Sequence, residues 1–365
     1  MASSILIDVL VVGGIGAALA ALVTVAEHFL ANYGPCTIAI NDDKNVTTEG
    51  GGHVLGALTE NKIFIPSACG GRGTCGLCKV KVLEGGGPLL PTEEPLLTDQ
   101  EKKDHVRLSC QVKLRNDIRI EIPQELFSIR EYEAECTRIT DLTHDMKLFR
   151  FEPKGDEPMD YVPGQYVQLL TPVYEKSNEE VYRAYSIAGD PADRGAIELI
   201  IRLVPGGICT TYCFEYLRQG DKVKFNGPYG EFRLSRSDSP IIFIAGGSGM
   251  APIRCILYQM RNEGIKRRAM YYFGANKVDE LCLVDEMRRF EQELEGFQFV
   301  PCVASPEAGW EGRKGLVTEV VRRDVSEGQT AEAYLCGSPG MIDASIEVLK
   351  TLGVTEDRIF YDKFT

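Results

Sequence analysis

The chain has 365 residues, of which 44% are hydrophobic and 25% charged, a composition typical of globular protein and a length that suits two or three domains. Its mean hydropathy of -0.11 excludes a membrane protein with many spans. The 40 Lys and Arg residues against 53 Asp and Glu give a net charge of -13, which argues against a nucleic-acid partner because neutralising phosphates needs a basic surface.

The first predicted element is an apolar segment at residues 9–26, in which Thr24 is the only polar side chain. A helix that rises ~1.5 Å per residue needs ~20 apolar residues to cross a bilayer, so we predict a single transmembrane anchor over residues 5–30. The lack of basic residues before Lys44 disfavours a signal peptide. Two alternatives stay open: a buried helix, and the first strand and glycine turn of a dinucleotide fold, although Leu19 replaces the third glycine of that motif.

A cysteine-rich segment follows, within a chain whose 12 cysteines are too unevenly spaced for a disulfide framework and indicate a reducing compartment. Cys69, Cys75 and Cys78 have the spacing C-x5-C-x2-C, and Cys110 lies 32 residues further on. The glycines between them let the backbone wrap closely and direct N–H groups at sulfur. A zinc site would favour two C-x2-C pairs, whereas the pattern resembles plant-type ferredoxins with one extra residue. We predict that these four cysteines hold a [2Fe–2S] cluster.

Short predicted elements surround these cysteines. Strands are expected at residues 79–83, 108–113 and 117–122, and a helical turn at residues 55–60. They fit a small β-grasp domain, a [2Fe–2S] ferredoxin-like domain over residues 34–126.

Residues 130–235 alternate between short strands and turns, which predicts a small antiparallel β-barrel, and several of its residues suit a flavin. Arg183 offers a fixed cation to a pyrophosphate, Tyr185 a flat face to the flavin ring, and Ser186 a hydroxyl to a ring nitrogen. A later glycine turn opens a helix whose first N–H groups suit phosphate oxygens. The predicted contacts there are Gly207, Ile208, Cys209 and the hydroxyl of Thr210.

Residues 238–365 are predicted to form an α/β domain with a parallel sheet that binds a nicotinamide dinucleotide. Residues 240–245 are a continuous apolar run, as in a strand buried on both faces, and a glycine turn and a helix follow, which together suit a pyrophosphate. A carboxylate after the second strand favours NADH over NADPH because it repels a 2′-phosphate, although Lys277 lies close by. The predicted contacts are Gly246, Gly247, Gly249, Pro252, Gly274 and Asp279.

Three motifs in this order resemble the ferredoxin–NADP reductase superfamily: Arg183-Ala-Tyr-Ser186, Gly227-Pro-Tyr-Gly-Glu-Phe232 and Gly246-Gly-Ser-Gly-Met-Ala-Pro252. The resemblance implies FAD, with FMN as the open alternative. It also implies that Cys336 and Gly337 lie beside the nicotinamide and that Phe364 covers the flavin, unless Phe364 is only a hydrophobic plug. The predicted catalytic residues are Ser186, Cys336 and Phe364.

The order of anchor, ferredoxin-like domain, flavin barrel and nicotinamide domain is similar to the F subunits of Na+-translocating NADH:quinone oxidoreductase over nearly the whole chain. Two places depart from that family: the stretch between Arg202 and Gly207 lacks a proline-rich insertion, and Cys336-Gly-Ser-Pro replaces Cys-Gly-Pro-Pro. The resemblance implies a single-pass protein of the bacterial inner membrane with its other domains in the cytoplasm. It would pass electrons from NADH through FAD and the cluster to membrane subunits and on to quinone.

Three other functions stay open at this point. The chain could be the NADH-dependent reductase component of a mono- or dioxygenase, or it could serve another membrane reductase of related build. A non-enzymatic electron carrier is the third, but it would need neither the flavin motifs nor the nicotinamide motifs.

Overall fold

The structure, a computed structural model, describes residues 2–30, 33–155, 158–326 and 330–364, with side-chain exposure in the N-terminal helix given for residues 10–24. The chain forms two compact units. The first contains the residues up to Pro66 and Gly71–Ser128, and the second contains Ser67–Gly70 and the residues from Ile129 onward.

The first unit begins with helix α1, Ala2–Leu30. A helix over residues 9–12 rules out the alternative in which this segment is the first strand of a dinucleotide fold. The described side chains, residues 10–24, are all exposed. Within the stretches that the structure describes, no helix meets the length and apolarity that crossing a membrane requires. The transmembrane anchor over residues 5–30 stays a prediction.

The rest of the first unit is a five-stranded sheet with the helix α2. The strands have the order β2-β1-β5-β3-β4, and β1 runs parallel to β5 while the other pairs are antiparallel. Alternate residues of β1 share one apolar core with α2, which is the packing expected of a β-grasp fold. The elements are β1 Pro35–Ile40, β2 Lys44–Glu49, α2 Val54–Glu60, β3 Lys79–Glu84, α3 Asp99–Lys103, β4 Val106–Leu108 and β5 Ile118–Glu121.

The strand predicted over residues 108–113 is wrong beyond Leu108. The backbone N–H groups of Gln111 and Val112 both donate to the carbonyl oxygen of Leu108, at 2.7 and 3.2 Å, so the chain turns there. Leu108, Cys110 and Val112 are all buried, and their alternation imitated a strand. Cys110 therefore lies on a tight turn.

The first half of the second unit is an antiparallel barrel of six strands in the order β10-β7-β6-β11-β8-β9. A bridge between Ile187 and Leu199 joins the end of β9 to β10, so the two outer strands meet and the barrel closes. The elements are β6 Arg130–Asp141, β7 Met146–Pro153, β8 Tyr166–Thr171, β9 Val181–Ser186, β10 Ile197–Arg202, α4 Ile208–Thr211, a π-helical turn Tyr212–Tyr216 and β11 Lys222–Tyr229.

The second half is a parallel sheet in the order β15-β14-β13-β12-β16-β17. Its central strands β12 and β16 are buried and apolar except for Glu332 at the start of β16, which agrees with the apolar runs of the sequence. The elements are β12 Ile241–Gly246, α5 Met250–Glu263, β13 Ala269–Ala275, α6 Val284–Glu293, β14 Phe297–Val303, β15 Arg313–Lys314, α7 Val317–Asp324, β16 Glu332–Gly337, α8 Pro339–Thr351 and β17 Ile359–Lys363. This order puts the carboxyl ends of β12, β13 and β16 next to one another.

Candidate active site

Strand β9 carries three of the predicted flavin contacts. Because side chains alternate along a strand, Arg183 and Tyr185 share one face and Ser186 lies on the other. Arg183 and Tyr185 are half-buried, and Ser186 is buried. The Arg183 guanidinium donates from Nη1 to the carbonyl oxygen of Tyr182 at 2.8 Å. A tethered cation and an aromatic ring therefore lie side by side, as a flavin nucleotide requires.

The turn before helix α4 places the predicted phosphate contacts. The Thr210 hydroxyl accepts from the N–H of Val204 at 3.1 Å and donates to the Val204 carbonyl at 3.2 Å, so it closes the turn instead of pointing freely at a ligand. A Cβ at Gly207 would approach this hydroxyl to 2.6 Å. The first N–H groups of a helix lack intrahelical partners, so the backbone N–H groups of Ile208 and Cys209 are suited to an anion, and the phosphate contact there stays a prediction.

Cys209 is itself buried, with 2% exposure. The hydrogen bond with Cys213, one helical turn later, lowers the pKa of Cys209 to about 7. Because the sulfur is enclosed, any contact of Cys209 with a phosphate would be made by its backbone N–H.

Glycines form the edge of the parallel sheet where the dinucleotide was predicted. Gly247 has φ = +56°, which an L-residue rarely adopts. A Cβ at Gly249 would overlap the carbonyl oxygen of Cys336, and one at Gly337 would lie 3.4 Å from the carbonyl oxygen of Gly246. Gly246 is the register partner of Gly274. The ends of β12, β13 and β16 therefore meet backbone to backbone, and the helix α5 begins directly behind them with Pro252 in its first turn.

Asp362 lies at the same edge, although no role was predicted for it. Asp362 on β17 pairs in register with Cys336, and its Oδ2 accepts from the Ser186 hydroxyl at 3.4 Å. Burial raises the pKa of Asp362 to about 6, and burial followed by the Asp362 charge raises the pKa of the Cys336 thiol. The sequence signal was the Asp-x-Phe pattern that ends at Phe364, in which Asp362 lies inside β17.

Phe364 is packed against the sheet, whereas Asp279 lies at the surface. The N–H of Phe364 donates to the carbonyl oxygen of Gly337 at 2.9 Å, and its half-buried ring packs on the core of the sheet. Asp279 is exposed, whereas the neighbouring Glu280 accepts from the N–H of Asn276 at 3.0 Å and shapes the loop. Both predicted roles, flavin cover and ribose contact, stay predictions.

Three of the predicted cluster ligands lie in the first unit. The thiols of Cys78 and Cys110 are in hydrogen-bond contact, and this contact together with burial raises the pKa of Cys78. Of the cysteines, all of which lie in described stretches, only Cys75 is partly exposed. Across the part of the chain that the structure describes, no group of three or more His, Cys, Asp or Glu side chains is placed to hold a metal ion. The four-cysteine ligand set stays a prediction.

The loop itself nevertheless has the character that an iron–sulfur cluster needs. Four of its glycines have positive φ, at positions 70, 71, 73 and 76, so the backbone can curl around a group that Cβ atoms would exclude. Two thiols in contact are also as close as two ligands of one metal ion must be.

Cys69 belongs to the second unit, with Ser67–Gly70. The N–H of Ser67 donates to the buried Oε1 of Gln168 on β8 at 2.7 Å. A Cβ at Gly70 would overlap the guanidinium of Arg183. The backbone on either side of Cys69 therefore contacts β8 and β9, and β9 carries three of the predicted flavin contacts.

Comparisons with known protein families match three successive parts of the chain. The 2Fe-2S iron-sulfur cluster binding domain matches residues 39–115, the oxidoreductase FAD-binding domain matches residues 133–234, and the oxidoreductase NAD-binding domain matches residues 243–346.

Relatives match over nearly the full length. The F subunit of the Na(+)-translocating NADH-quinone reductase of Marinomonas sp. (strain MWYL1) is 33% identical, with 99% of this chain and 98% of the relative covered. The protein of the same name from Idiomarina loihiensis is 35% identical, with 95% of each covered. Among solved structures, the cytochrome P450 reductase GcoB of Amycolatopsis has a TM-score of 0.73 at 27% identity, covering 90% of this chain and 99% of that one. The ferredoxin reductase in carbazole 1,9a-dioxygenase has a TM-score of 0.70 at 26% identity, covering 91% and 98%.

Proposed function

Because the chain belongs to the family of F subunits of the Na(+)-translocating NADH-quinone reductase, we propose that it oxidises NADH and passes the electrons through FAD and a [2Fe–2S] cluster to a membrane partner that leads to quinone. The observation that carries this proposal is the hydrogen bond from the Ser186 hydroxyl to Asp362. It joins the flavin strand β9 to the glycine edge of the nicotinamide sheet, which is where a hydride donor and its acceptor have to meet.

The residues of the chain supply binding and orientation. When bound, FAD takes the hydride of NADH as an electron pair and releases electrons one at a time. Arg183 and the backbone N–H groups of α4 would bind its phosphates. The glycine edge lets the pyrophosphate of NADH approach the backbone at the start of α5. Because burial raises the pKa of Asp362 to about 6, its Oδ2 would be able to accept a proton near neutral pH, beside the Ser186 hydroxyl.

Cys69, Cys75, Cys78 and Cys110 would hold the cluster. The contacts of Ser67 and Gly70 with strands β8 and β9 support electron transfer from the flavin side through Cys69. Cys75 is the partly exposed cysteine, which supports transfer from the cluster to the partner at this position.

The N-terminal segment would hold the protein at the bacterial inner membrane, with residues 5–30 as a single-pass anchor and the other domains in the cytoplasm. The support is the sequence of residues 9–26 and the exposure of large apolar side chains around the described part of α1, such as Leu10 at 67% and Leu22 at 66%. A helix that is apolar all round needs an apolar surrounding. Membrane subunits of a redox complex are the partners that this location implies.

A second candidate function is the reductase component of an oxygenase. The similarity to two solved reductases, one of a cytochrome P450 and one in a dioxygenase system, favours it, because the matches cover 90% and 91% of this chain.

The test uses the full chain, loaded with FAD and iron, under anaerobic conditions. Adding NADH should bleach the flavin absorption and then produce the paramagnetic signal of a reduced [2Fe–2S] cluster. Membranes from cells that make the full chain should reduce quinone with NADH, and deleting residues 1–30 should release the NADH-oxidising activity from the membrane. An unbleached flavin would refute NADH oxidation, and activity that stays soluble with the full chain would favour the oxygenase reductase.

A further inference from the structure

A buried arginine on helix α5 joins the flavin barrel to the nicotinamide sheet. The side chain of Arg254 is 6% exposed. Its Nη1 donates to the carbonyl oxygen of Ala188 and to Oε2 of Glu198, both at 2.7 Å. Its Nε donates to Oε1 of Glu286 on α6, also at 2.7 Å. One guanidinium therefore donates hydrogen bonds both to the barrel and to the nicotinamide domain.

The barrel groups that receive Arg254 are themselves held in place. The N–H of Ala188 donates to the carbonyl oxygen of Glu198 at 2.7 Å, and the other carboxylate oxygen of Glu198 accepts from Nη2 of Arg138 at 2.6 Å. Tyr258 donates to the Glu286 carboxylate at 2.6 Å. Every acceptor of Arg254 thus has a second partner that limits its movement.

The same barrel connection also contacts the far end of α5. Asp190 accepts from Arg261 at Oδ2 and from Asn262 at Oδ1, both at 2.6 Å. Ala188 and Asp190 belong to the segment that leaves β9 directly after Ser186. The helix is therefore attached at two points, about two turns apart, to the chain segment that carries the flavin-side hydroxyl.

The position of these contacts gives them a consequence for hydride transfer. Helix α5 starts at the glycine turn Gly247–Gly249, and Arg254 is the fifth residue of the helix. A movement of α5 along the barrel would carry the glycine turn with it and shift the dinucleotide relative to Ser186.

Apolar packing alone would join the two halves but would not define their register. Ala188 and Ile200 of the barrel share one core with Met250, Ile253 and Leu257 of α5, and such contacts tolerate small slides. A buried ion pair is weak evidence for stability because of its desolvation cost, whereas the planar fork of an arginine requires fixed directions from its acceptors.

We propose that Arg254 is a positioning residue for hydride transfer, which sets the place of the nicotinamide domain on the flavin barrel through Ala188, Glu198 and Glu286. This inference rests on the proposed NADH oxidation. Replacing the arginine should impair the transfer step more than the binding of NADH, because the glycine edge that binds the dinucleotide is intact.

The test is stopped-flow reduction of the FAD-loaded full chain by NADH and by NADH deuterated at the transferred position. Arg254→Lys keeps the charge but loses the fork, and Arg254→Met removes both. We expect the limiting rate at saturating NADH to fall about 10- to 100-fold in Arg254→Lys, the size of effect that a displacement of about 1 Å produces. The hydrogen isotope effect should change, and the dissociation constant of NADH should change little.

Arg267→Lys is the matched control. Arg267 is 5% exposed and pairs with Glu332 at 2.8 Å, but it precedes β13, at the sheet edge opposite to the glycines. It should lower the melting temperature without changing the limiting rate or the isotope effect. The positioning role is overturned if Arg254→Lys loses stability as Arg267→Lys does while its limiting rate stays within about twofold of the wild type. If the wild-type flavin is not reduced by NADH, the proposed function itself has failed.

Discussion

Replacing Asp362 by asparagine should stabilise the protein at neutral and alkaline pH. Each pKa unit corresponds to ~1.4 kcal/mol, so raising the pKa of this carboxyl from 3.8 to about 6 by burial makes its ionised form about 3 kcal/mol less favourable in the folded state. A raised pKa means that the folded state holds the proton more tightly than the unfolded state. The stability that the protonated Asp362 carboxyl contributes is therefore fully present below pH 3.8, and it is lost as the pH rises through about 6.

Asp362→Asn removes this titration while keeping an oxygen that accepts from Ser186. The variant should exceed the wild type by up to about 3 kcal/mol near pH 8 and by roughly half of that near pH 5. For a unit of this size the larger figure corresponds to a melting temperature about 6–12 °C higher.

The assay is thermal unfolding of the FAD-loaded protein at several pH values, followed by circular dichroism. Asp357→Asn, an exposed acid on the same C-terminal segment, is the control and should leave the melting temperature unchanged at each pH. An advantage of Asp362→Asn that is absent near pH 8, or that grows towards acid, would refute the argument from burial of the charge.

Three further variants test the order of flavin and cluster, the glycine edge and a buried ion pair of the first unit. Cys75→Ala should keep NADH-dependent reduction of ferricyanide, which needs only the flavin, and should lose transfer to one-electron protein acceptors in steady-state assays. Gly249→Ala should raise the KM for NADH about tenfold or more without loss of FAD, because its methyl group would overlap the carbonyl oxygen of Cys336. Glu93→Gln should destabilise the first unit by about 3 kcal/mol in urea titrations, because the buried Arg107 guanidinium loses its charged partner.

Each of these variants has a neighbour that serves as its control. Thr74→Ala lies in the same loop as Cys75, Gly340→Ala adds a methyl group where nothing lies within 4 Å, and Glu94→Gln changes an exposed acid. All three should behave as the wild type does. Loss of both activities in a folded, flavin-loaded Cys75→Ala protein would contradict electron transfer from the flavin to the cluster. Unchanged NADH kinetics in Gly249→Ala would contradict binding of the dinucleotide at the glycine edge.

The glycine positions were predictable because each has a local backbone reason. Gly247 has φ = +56° and Gly337 has φ = +146°, and a strand followed by such a residue and then by a helix is visible in the sequence. The apolar runs of the parallel sheet were predictable for a similar reason, since strands buried on both faces consist mostly of apolar residues. In both cases the physical reason for the residue type lies within the segment itself.

Asp362 and Arg254 could not be assigned from the sequence because their partners are distant. Asp362 meets Ser186 across 176 residues, and Arg254 meets Ala188 across 66. Each contact depends on the register of strands and on how α5 packs on the barrel. The turn at Cys110 was missed for the opposite reason: alternation of buried residues is shared by strands and tight turns, and only the hydrogen bonds of Gln111 and Val112 distinguish them.

The two departures from the family pattern lie in a turn and at a helix cap. The short stretch after Arg202 is a tight turn that the Thr210 hydroxyl closes through Val204, so a longer loop there would extend outward from a turn and leave α4 as it is. Ser338 is the N-cap of α8, its hydroxyl accepts from the N–H of Met341 at 3.4 Å, and a proline occupies the first position of the helix. Serine is a better N-cap than proline. The glycine whose backbone meets Gly246 and Phe364 is Gly337, one residue before the departure, and it is unchanged. Both departures therefore alter a turn and a helix cap, and neither alters a group that would bind FAD or NADH.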